Sequence, residues 1–268
     1  MVTTDAMNVA PPDGGTAPQA GTARLVADPL DGRRVAVTGG TAGLGLALVR
    51  ELSRRGARVA FVARARAGVE RVVQELAGVR GIVGDVSKKE DIYPIALQVL
   101  GALGGLDILI NNASTLGPGR LELLSDTQCE DFEQALATNV LGPFRLTRAL
   151  LGALAASARE DRGSVVVNIS SDAAFTPYAR WGAYAASKAA LHHMTRIWDE
   201  ELKSEGVQFL SLDPGDMDTE LHRTALPDDD PSLLKRPETA AREIADVIAG
   251  AMLRSSDPAQ ALATAIEQ

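Results

Sequence analysis

The fold is decided by the stretch Val35-Ala36-Val37-Thr38-Gly39-Gly40-Thr41-Ala42-Gly43-Leu44-Gly45. A short apolar run enters a glycine-rich turn, and residues 44–55 then place apolar side chains at helical spacing. Glycine permits positive φ and close backbone approach, and a helix N-terminus offers unpaired N–H groups to a phosphate. The stretch therefore predicts a strand, a turn and a helix that cradle a dinucleotide. Glycine-rich turns also join strands to helices for steric reasons alone, so the context of the turn carries the prediction.

Five further apolar runs follow this stretch, each separated from the next by a segment long enough for a helix; they are residues 59–62, 82–83, 108–110, 165–167 and 207–212. The runs are unbroken rather than alternating, which is typical of strands that are covered on both faces. Helices on both sides of a parallel sheet provide that cover. The pattern predicts a single α/β domain over residues 29–268, doubly wound, with a parallel sheet of six strands.

Two segments depart from this alternation. Residues 1–28 are rich in Ala, Thr, Gly and Pro with few large apolar side chains, so we expect a flexible N-terminal tail. Residues 216–236 are polar and contain a run of three aspartates between two prolines. This second segment is too long for a plain connector, and it is interpreted either as a mobile lid over a site or as a solvated surface loop.

Composition excludes several classes of protein. The chain has 268 residues, 46% hydrophobic and 23% charged, which is ordinary for a globular protein. Its net charge of −8 and the lack of a basic stripe argue against nucleic acid as a partner. The single cysteine and three histidines do not have metal-ligand spacing, so no metal is expected. Because we find neither a membrane-spanning run nor a secretory signal, we expect no membrane partner and a cytoplasmic protein.

An arginine follows the second predicted strand, where many dinucleotide folds have an acidic residue that binds the adenosine ribose. Arg64 could instead pair with a 2′-phosphate through its planar guanidinium. The sequence therefore favours NADP(H) over NAD(H). In the alternative interpretation, Arg64 and Arg66 are solvated surface residues.

Tyr184 and Lys188 are four residues apart in a helical stretch, which places them on one helix face. Free tyrosine ionises near pKa ~10, and a fixed ammonium beside it would favour the phenolate. A tyrosine tuned in this way can pass a proton to or from a substrate oxygen. The pair alone is weak evidence, because Tyr and Lys at this spacing commonly form only a helix surface.

The order of these motifs resembles the short-chain dehydrogenase/reductase family over about residues 32–253, and that resemblance implies a Rossmann fold. Residues 38–45 match the family's TGxxxGxG pattern. The resemblance assigns a catalytic tetrad and a set of cofactor-binding residues. The tetrad is Asn139, Ser171, Tyr184 and Lys188, and the cofactor-binding residues are Gly39, Thr41, Gly43, Leu44, Gly45, Arg64, Asp85, Val86, Asn112, Ala113, Tyr184, Lys188, Pro214, Gly215 and Thr219.

The resemblance also implies a role for each catalytic residue. Tyr184 donates a proton to a carbonyl oxygen or takes one from an alcohol, and Ser171 positions that oxygen. Lys188 lowers the pKa of Tyr184 and binds the nicotinamide ribose, while Asn139 holds a water that connects Lys188 to solvent. The implied function is that of an NADP(H)-dependent carbonyl reductase or alcohol oxidoreductase, acting on a small molecule as a homodimer or homotetramer. The alternatives are an NAD-dependent alcohol dehydrogenase and a non-catalytic, dinucleotide-binding regulatory protein.

Three features depart from the family pattern. Ser114 stands where a glycine is usual after the fourth strand. Residues 155–162 look longer than the usual link between helix and strand, and are interpreted as a surface insertion. The C-terminus lacks the usual glycine-rich end of a seventh strand. Within the family, residues 177–184 are similar to sepiapterin reductase-like members, mainly through Trp181.

Overall fold

The computed structural model describes residues 27–255 apart from residue 118. Six parallel strands form one sheet in the order β3-β2-β1-β4-β5-β6. The strands are β1 (Arg34–Thr38), β2 (Arg58–Ala63), β3 (Arg80–Val83), β4 (Ile108–Asn111), β5 (Ser164–Ile169) and β6 (Val207–Leu212). All six predicted strands are confirmed. The predicted N-terminal tail and the end of the chain, where a seventh strand was in question, lie outside the described residues.

Helices cover both faces of the sheet. They are α1 (Gly43–Arg54), α2 (Arg66–Glu75), α3 (Lys89–Leu103), α4 (Cys129–Leu136), α5 (Gly142–Arg159), α6 (Gly182–Leu202), α7 (Glu220–Ala225) and α8 (Pro237–Ser255). α1, α2 and α8 share one apolar core with the sheet, while α3 and α5, with the end of α6, share the other. The doubly wound α/β architecture, a Rossmann fold, is therefore confirmed.

Successive side chains in the middle of the strands are mostly apolar because they enter different cores. In β1, Val35 and Val37 pack into the core of α1 and α8, whereas Ala36 packs into the core of α3 and α5. This is the period of two that a strand imposes on its side chains. Apolar side chains at every position of a strand thus reflect two buried faces, as predicted.

One expectation about the fold is wrong. Residues 155–162 are not a surface insertion, because α5 continues to Arg159. Ala155 and Ser157 are buried, and Ser157 donates a hydrogen bond of 2.7 Å to Asp107 Oδ1. The link looked long because the helix was expected to end earlier, whereas the last turn of α5 carries Ser157 to a buried carboxylate.

The Asp107 carboxylate links several elements at the edge of the sheet where the strands begin. Asp107 is fully buried, and its oxygens accept hydrogen bonds from the guanidinium groups of Arg34 (2.6 Å) and Arg162 (2.8 Å). The backbone N–H of Arg34 donates a further bond of 2.8 Å to it. β1, β4, α5 and the link to β5 are therefore held by one ion-pair network opposite the edge where the strands end.

Candidate active site

The strand order reverses between β1 and β4, and a cavity of about 1070 Å³ lies outside the carboxyl ends of the strands at that point. Open α/β sheets bind ligands at such a crevice. The residues that follow all six strands contribute to the wall, among them Gly39, Arg64, Asp85, Asn112, Ser171 and Pro214. Residues that lie far apart in the sequence therefore meet at one site because parallel strands end on the same edge.

The glycine turn fits tightly between the ends of β1 and β4. Gly39 has φ +73°, and a Cβ there would lie 2.9 Å from Asn112 Nδ2. A Cβ on Gly45 would lie 2.1 Å from the carbonyl oxygen of Gly39. α1 begins after Ala42, and no side chain caps it. The N–H groups of its first turn therefore face the cavity without a side-chain acceptor. Thr41, Gly43 and Leu44 also line the cavity.

Asn112 and Ala113 hold this turn in place. Asn112 Nδ2 donates to the carbonyl oxygen of Thr38 at 2.9 Å, and the backbone N–H groups of Asn112 and Ala113 each donate to Thr38 Oγ1 at 3.0 Å. The end of β4 is thereby locked to the end of β1. Both residues line the cavity, as the resemblance implies, and their hydrogen bonds also give them a structural role.

The far end of the cavity is lined by Arg64, Asp85 and Val86. Arg64 is exposed and forms no ion pair within 4 Å among the described residues, whereas Arg66 approaches Glu70 at 4.0 Å. Asp85 Oδ1 accepts hydrogen bonds from the hydroxyl and N–H groups of Ser87. Arg64 is therefore a cation without a protein partner at the position where an adenosine 2′-phosphate would need one.

Tyr184 and Lys188 lie on one face of α6, as predicted, and both are buried in the cavity wall. Lys188 Nζ lies 5.5 Å from the centroid of the Tyr184 ring and donates a hydrogen bond of 2.7 Å to the carbonyl oxygen of Ile169. Burial lowers the pKa of Lys188 to about 8, an effect that the carboxylate of Asp213 partly opposes. The Lys188 ammonium is thus anchored to the end of β5, close to the Tyr184 ring.

Burial raises the pKa of Tyr184 to about 12. The hydroxyls of Ser171 and Ser114 oppose this rise, while the charges of Asp213 and Asp172 add to it. The pKa of Tyr184 is thus raised and not lowered, contrary to the expectation from the resemblance. Desolvation of the phenolate and the charges of Asp213 and Asp172 raise it, so Tyr184 is protonated at neutral pH.

Ser171 is held by its neighbours at the start of a short 3₁₀ turn, Asp172–Ala174. Its Oγ donates to Asp172 Oδ1 at 2.9 Å and accepts from the N–H of Ala173 at 3.2 Å. The other oxygen of Asp172 accepts a hydrogen bond of 2.7 Å from the hydroxyl of Tyr178. Asp172 and Tyr178 also line the cavity and were not predicted from the sequence, although an acid directly after the predicted catalytic serine was a visible signal.

Asn139 is the one predicted catalytic residue that does not line the cavity. It lies in a π-helical segment, Ala137–Leu141, and its amide nitrogen donates to Thr115 O and Ser187 Oγ, both at 2.8 Å. Its amide oxygen accepts from Thr115 N at 2.9 Å and Ser114 Oγ at 3.2 Å. Because the amide donors are both used, a water held by Asn139 would have to bind its main chain. Ser187 was not predicted, and it anchors Asn139 to α6.

The segment after β6 closes the nicotinamide end of the predicted site. Pro214, Gly215 and Thr219 line the cavity, and Thr219 Cγ2 lies against the backbone of Gly43. A single bridge between Met217 and Lys235 joins the two ends of the predicted lid at its base. Between them α7 contributes His222, whose Nε2 lies 3.0 Å from Asp229 Oδ2. Most of residues 216–226 line the cavity, whereas residues 227–233 are exposed.

The residues present fit a dinucleotide. The cavity joins an uncapped helix N-terminus, glycines that leave no room for a Cβ, and an unpaired arginine in one continuous groove. Ser170 Oγ is buried in the same wall and has no hydrogen-bond partner among the described residues. A bound polar group would satisfy that orphaned hydroxyl.

Two further kinds of feature are absent from the described residues between 27 and 255. No group of three or more potential metal ligands occurs there. None of the helices in this part of the chain combines the length and the apolar character that crossing a bilayer requires. Two residues of α6 pack against neighbouring rings. Trp198 stacks on Phe209 at 5.5 Å, and His192 contacts the ring of Phe175 at 4.4 Å.

The fold and the residues gathered at its switch point define a dinucleotide-binding oxidoreductase. The family model of short chain dehydrogenases matches residues 33–230. L-fucose dehydrogenase of Mus musculus is 34% identical over 190 residues, which cover 71% of this chain and 67% of that protein. The chain belongs to the short chain dehydrogenase family.

Two solved structures share this architecture with the chain. A 3-ketoacyl-(acyl-carrier-protein) reductase from Brucella melitensis, complexed with NADH, aligns with a TM-score of 0.76 at 27% identity and covers 81% of this chain and 90% of its own. A short chain dehydrogenase from Shigella flexneri, complexed with NADP, aligns with a TM-score of 0.76 at 25% identity and covers 87% and 96%. Similar chains have thus been solved with either cofactor.

Proposed function

We propose that this protein is an NADP(H)-dependent oxidoreductase that interconverts a carbonyl group and an alcohol on a small molecule. The observation that carries the proposal is the single cavity that Ser171, Tyr184 and Lys188 line at one end and the unpaired Arg64 at the other. A dinucleotide that lies along the groove would bring its reactive ring to the tyrosine.

Tyr184 is the acid and base of the proposed reaction. A bound nicotinamide supplies the hydride in reduction and accepts it in oxidation. Tyr184, protonated at neutral pH, gives its phenolic proton to the carbonyl oxygen as the hydride reaches the carbon, and the reverse transfer serves oxidation. In this proposal Ser171 Oγ orients that oxygen, and Lys188 Nζ binds the ribose hydroxyls. The residues mainly supply orientation and an environment of fixed dipoles.

The preference for NADP(H) rests on this chain's own residues, because similar structures contain either cofactor. Arg64 carries an unpaired charge, and no Asp or Glu stands at its position to bind ribose hydroxyls. A planar guanidinium suits a phosphate through paired hydrogen bonds. The proposal extends to a homodimer or homotetramer in the cytoplasm, with no nucleic-acid or membrane partner.

An NAD-dependent alcohol dehydrogenase is the second candidate. The name of the related L-fucose dehydrogenase supports oxidation of a hydroxylated substrate. A dinucleotide-binding protein without turnover is the remaining alternative, and the filled tetrad positions argue against it.

Cofactor titration tests the proposal. NADPH and NADH are titrated by fluorescence into wild type, Arg64→Ala and Arg66→Ala. We expect NADPH to bind more tightly than NADH, and Arg64→Ala to weaken NADPH binding about tenfold to a hundredfold with little change for NADH, since hydrogen bonds to charged groups contribute about 1.5–3 kcal/mol.

Arg66→Ala is the matched control, because Arg66 is an exposed arginine two residues away that already has Glu70 as its neighbour. Equal or tighter binding of NADH would contradict the role given to Arg64 and favour the second candidate. Binding of either cofactor without turnover of any carbonyl or alcohol would favour the non-catalytic alternative.

A further inference from the structure

A third apolar cluster, separate from the two cores of the sheet, surrounds Tyr184. Its side chains come from the segment after β4, the turn after β5, the start of α6, and α7 with the residue that follows it. The buried members are Leu116, Leu121, Ala173, Tyr184 and Ala225, and Trp181, Ala185 and Leu226 pack against them. The ring of Trp181 meets that of Tyr184 edge-on, with 5.6 Å between the centroids.

This cluster is also a wall of the cavity. The members that line it are Leu116, Ala173, Trp181, Tyr184, Ala225 and Leu226. Ligand pockets combine such apolar walls with a few polar groups that fix the orientation of the ligand. Here the hydroxyls of Tyr184 and Ser171 are the polar groups of the proposed reaction. A substrate whose oxygen meets Tyr184 therefore has its carbon skeleton beside the apolar side chains.

The charged groups at this end of the cavity are mainly acidic. Four carboxylates line it, those of Asp172, Asp213, Asp216 and Glu220. Among the described residues none of the four has a Lys or Arg partner within 4 Å, and Asp216 approaches His222 at 3.8 Å. Arg64 lies at the far end of the cavity, and Lys188 gives its hydrogen bond to the backbone of β5. An anionic substrate would therefore meet repulsion here.

We propose that the substrate is an uncharged carbonyl compound, or the corresponding alcohol, with an apolar body, and that anionic carbonyl compounds are poor substrates. The cluster around Tyr184 binds the body because contact removes apolar surface from water. The four carboxylates disfavour a substrate that carries a carboxylate or phosphate. This inference rests on the proposed function and names the substrate class of the same site.

Three ketones that share one ring test the proposal: 4-methylcyclohexanone, 4-hydroxycyclohexanone and 4-oxocyclohexanecarboxylate. Their reduction is measured at low ionic strength with whichever of NADPH and NADH binds. We expect kcat/KM to be highest for the methyl compound, about threefold to tenfold lower for the hydroxyl compound, and at least about a hundredfold lower for the carboxylate. Equal values for the three, or a preference for the carboxylate, would overturn the proposal.

Leu226→Gln tests the apolar wall, because Leu226 is half-buried and lines the cavity. The variant should reduce the preference for the methyl over the hydroxyl ketone at least about threefold, a ratio that a general loss of folded protein would not change. Leu233→Gln is the matched control, since Leu233 belongs to the same segment, is 84% exposed and does not line the cavity. An unchanged preference in Leu226→Gln would count against the proposal.

Glu220→Lys tests the acidic groups, because Glu220 is exposed in the first turn of α7 and lines the cavity. It should narrow the difference between the methyl ketone and the carboxylate at least about threefold, and added salt should reduce this effect. Glu238→Lys is the matched control, since it makes the same change of charge in the first turn of α8, outside the cavity wall. An equal effect of both variants would mean that net charge, and not this wall, rejects anions, and would overturn that part of the proposal.

Binding separates this inference from the proposed reaction. If neither cofactor supports reduction of any of the three ketones, the proposed function fails. The Kd values of the ketones for the protein, measured by ligand-observed NMR titration, then decide the inference. The same order of affinities supports an apolar, anion-rejecting pocket, whereas equal Kd values, or no binding of any of the three, overturn it.

Discussion

At the scale of single residues, the site depends on one phenol that is protonated at neutral pH. Burial and the carboxylates of Asp213 and Asp172 raise the pKa of Tyr184 to about 12, and the hydroxyls of Ser171 and Ser114 only partly oppose them. A phenol in this state holds the proton that carbonyl reduction would consume, but its raised pKa makes it a weaker acid than free tyrosine. Oxidation of an alcohol needs the small fraction of phenolate.

Replacing this phenol tests its role directly. Tyr184→Phe should lower kcat by about 10²–10⁴-fold, because it removes the proton donor while the ring still fills its pocket. Cofactor affinity, measured by fluorescence titration, should stay within about threefold, since Lys188 and the glycine turn are untouched. Tyr178→Phe removes a hydroxyl from the same cavity and should keep most of the activity. Equal losses in the two variants would contradict the assignment of the acid to Tyr184.

The raised pKa also sets the sign of the pH dependence. Because the ionised base is a minor form below pH 12, kcat/KM for alcohol oxidation should rise with pH through the neutral and alkaline range. For carbonyl reduction, the protonated acid is the major form, so Tyr184 should impose no loss of rate over that range. Steady-state rates in both directions between pH 6 and about 10 check this sign.

The positions of the candidate residues could be predicted from the sequence where the backbone fixes them. Tyr184 and Lys188 meet because a spacing of four is fixed by the helix, and the glycines meet the end of β4 because parallel strands end together. The pKa of Tyr184 was predicted in the wrong direction because desolvation depends on what surrounds the ring. Asp172 was missed because no local pattern shows its contacts with Ser171 and Tyr178.

At the scale of elements, the junction between the glycine turn and α1 leaves no room for a methyl group. A Cβ on Gly45 would lie 2.1 Å from the carbonyl oxygen of Gly39 and 2.5 Å from Asn112 Nδ2. Both of these atoms belong to the lock between β1 and β4. The helix could accept an alanine only by moving away from the turn.

Gly45→Ala should therefore abolish dinucleotide binding and destabilise the protein. Gly101→Ala is the matched control in α3, because a Cβ there meets nothing within 4 Å. It should leave cofactor binding unchanged and stabilise the fold by about 0.5–1 kcal/mol, since alanine is the better helix former. Fluorescence titration and thermal unfolding measure the two effects. If Gly45→Ala bound the cofactor with wild-type affinity, the turn would have room for a methyl group that the structure does not show.

Boundaries of elements were harder to predict than their existence. The strands followed from unbroken apolar runs, but the π-helical segment Ala137–Leu141 and the extent of α5 did not. Ser157 made the end of α5 look like surface, because the sequence does not reveal that Asp107 needs a buried donor. The lid was predicted as a segment, and its internal contacts, such as His222 with Asp229, became visible only in three dimensions.

At the scale of the whole molecule, the two edges of the sheet have different tasks. The edge at which the strands end carries the cavity, with the glycine turn and Arg64 in its wall. The opposite edge carries the Asp107 network, in which a fully buried carboxylate meets Arg34 and Arg162. Although burial opposes it, hydrogen bonding to Arg162 and Arg34 holds the pKa of Asp107 well below its ordinary value.

Removal of that carboxylate should cost stability and spare the site. Asp107→Asn should lower the free energy of unfolding by about 3 kcal/mol, because breaking a buried ion pair leaves its partners without compensation. Since the pKa is depressed in the folded state, this stabilisation is present above the unfolded pKa and is lost as pH falls below it. Wild type should therefore lose its advantage over Asp107→Asn progressively below about pH 4.

Urea unfolding of both proteins at pH 7 and at pH 3 measures the effect, with Asp246→Asn as the control for an exposed pair. Asp246 contacts Arg55 but is 68% exposed, so its loss should cost less than about 1 kcal/mol at either pH. Cofactor affinity should be unchanged in both variants, because the two edges of the sheet are separated by the length of the strands. If the difference in unfolding free energy between wild type and Asp107→Asn were as large at pH 3 as at pH 7, packing around Asp107, and not its charge, would stabilise this edge.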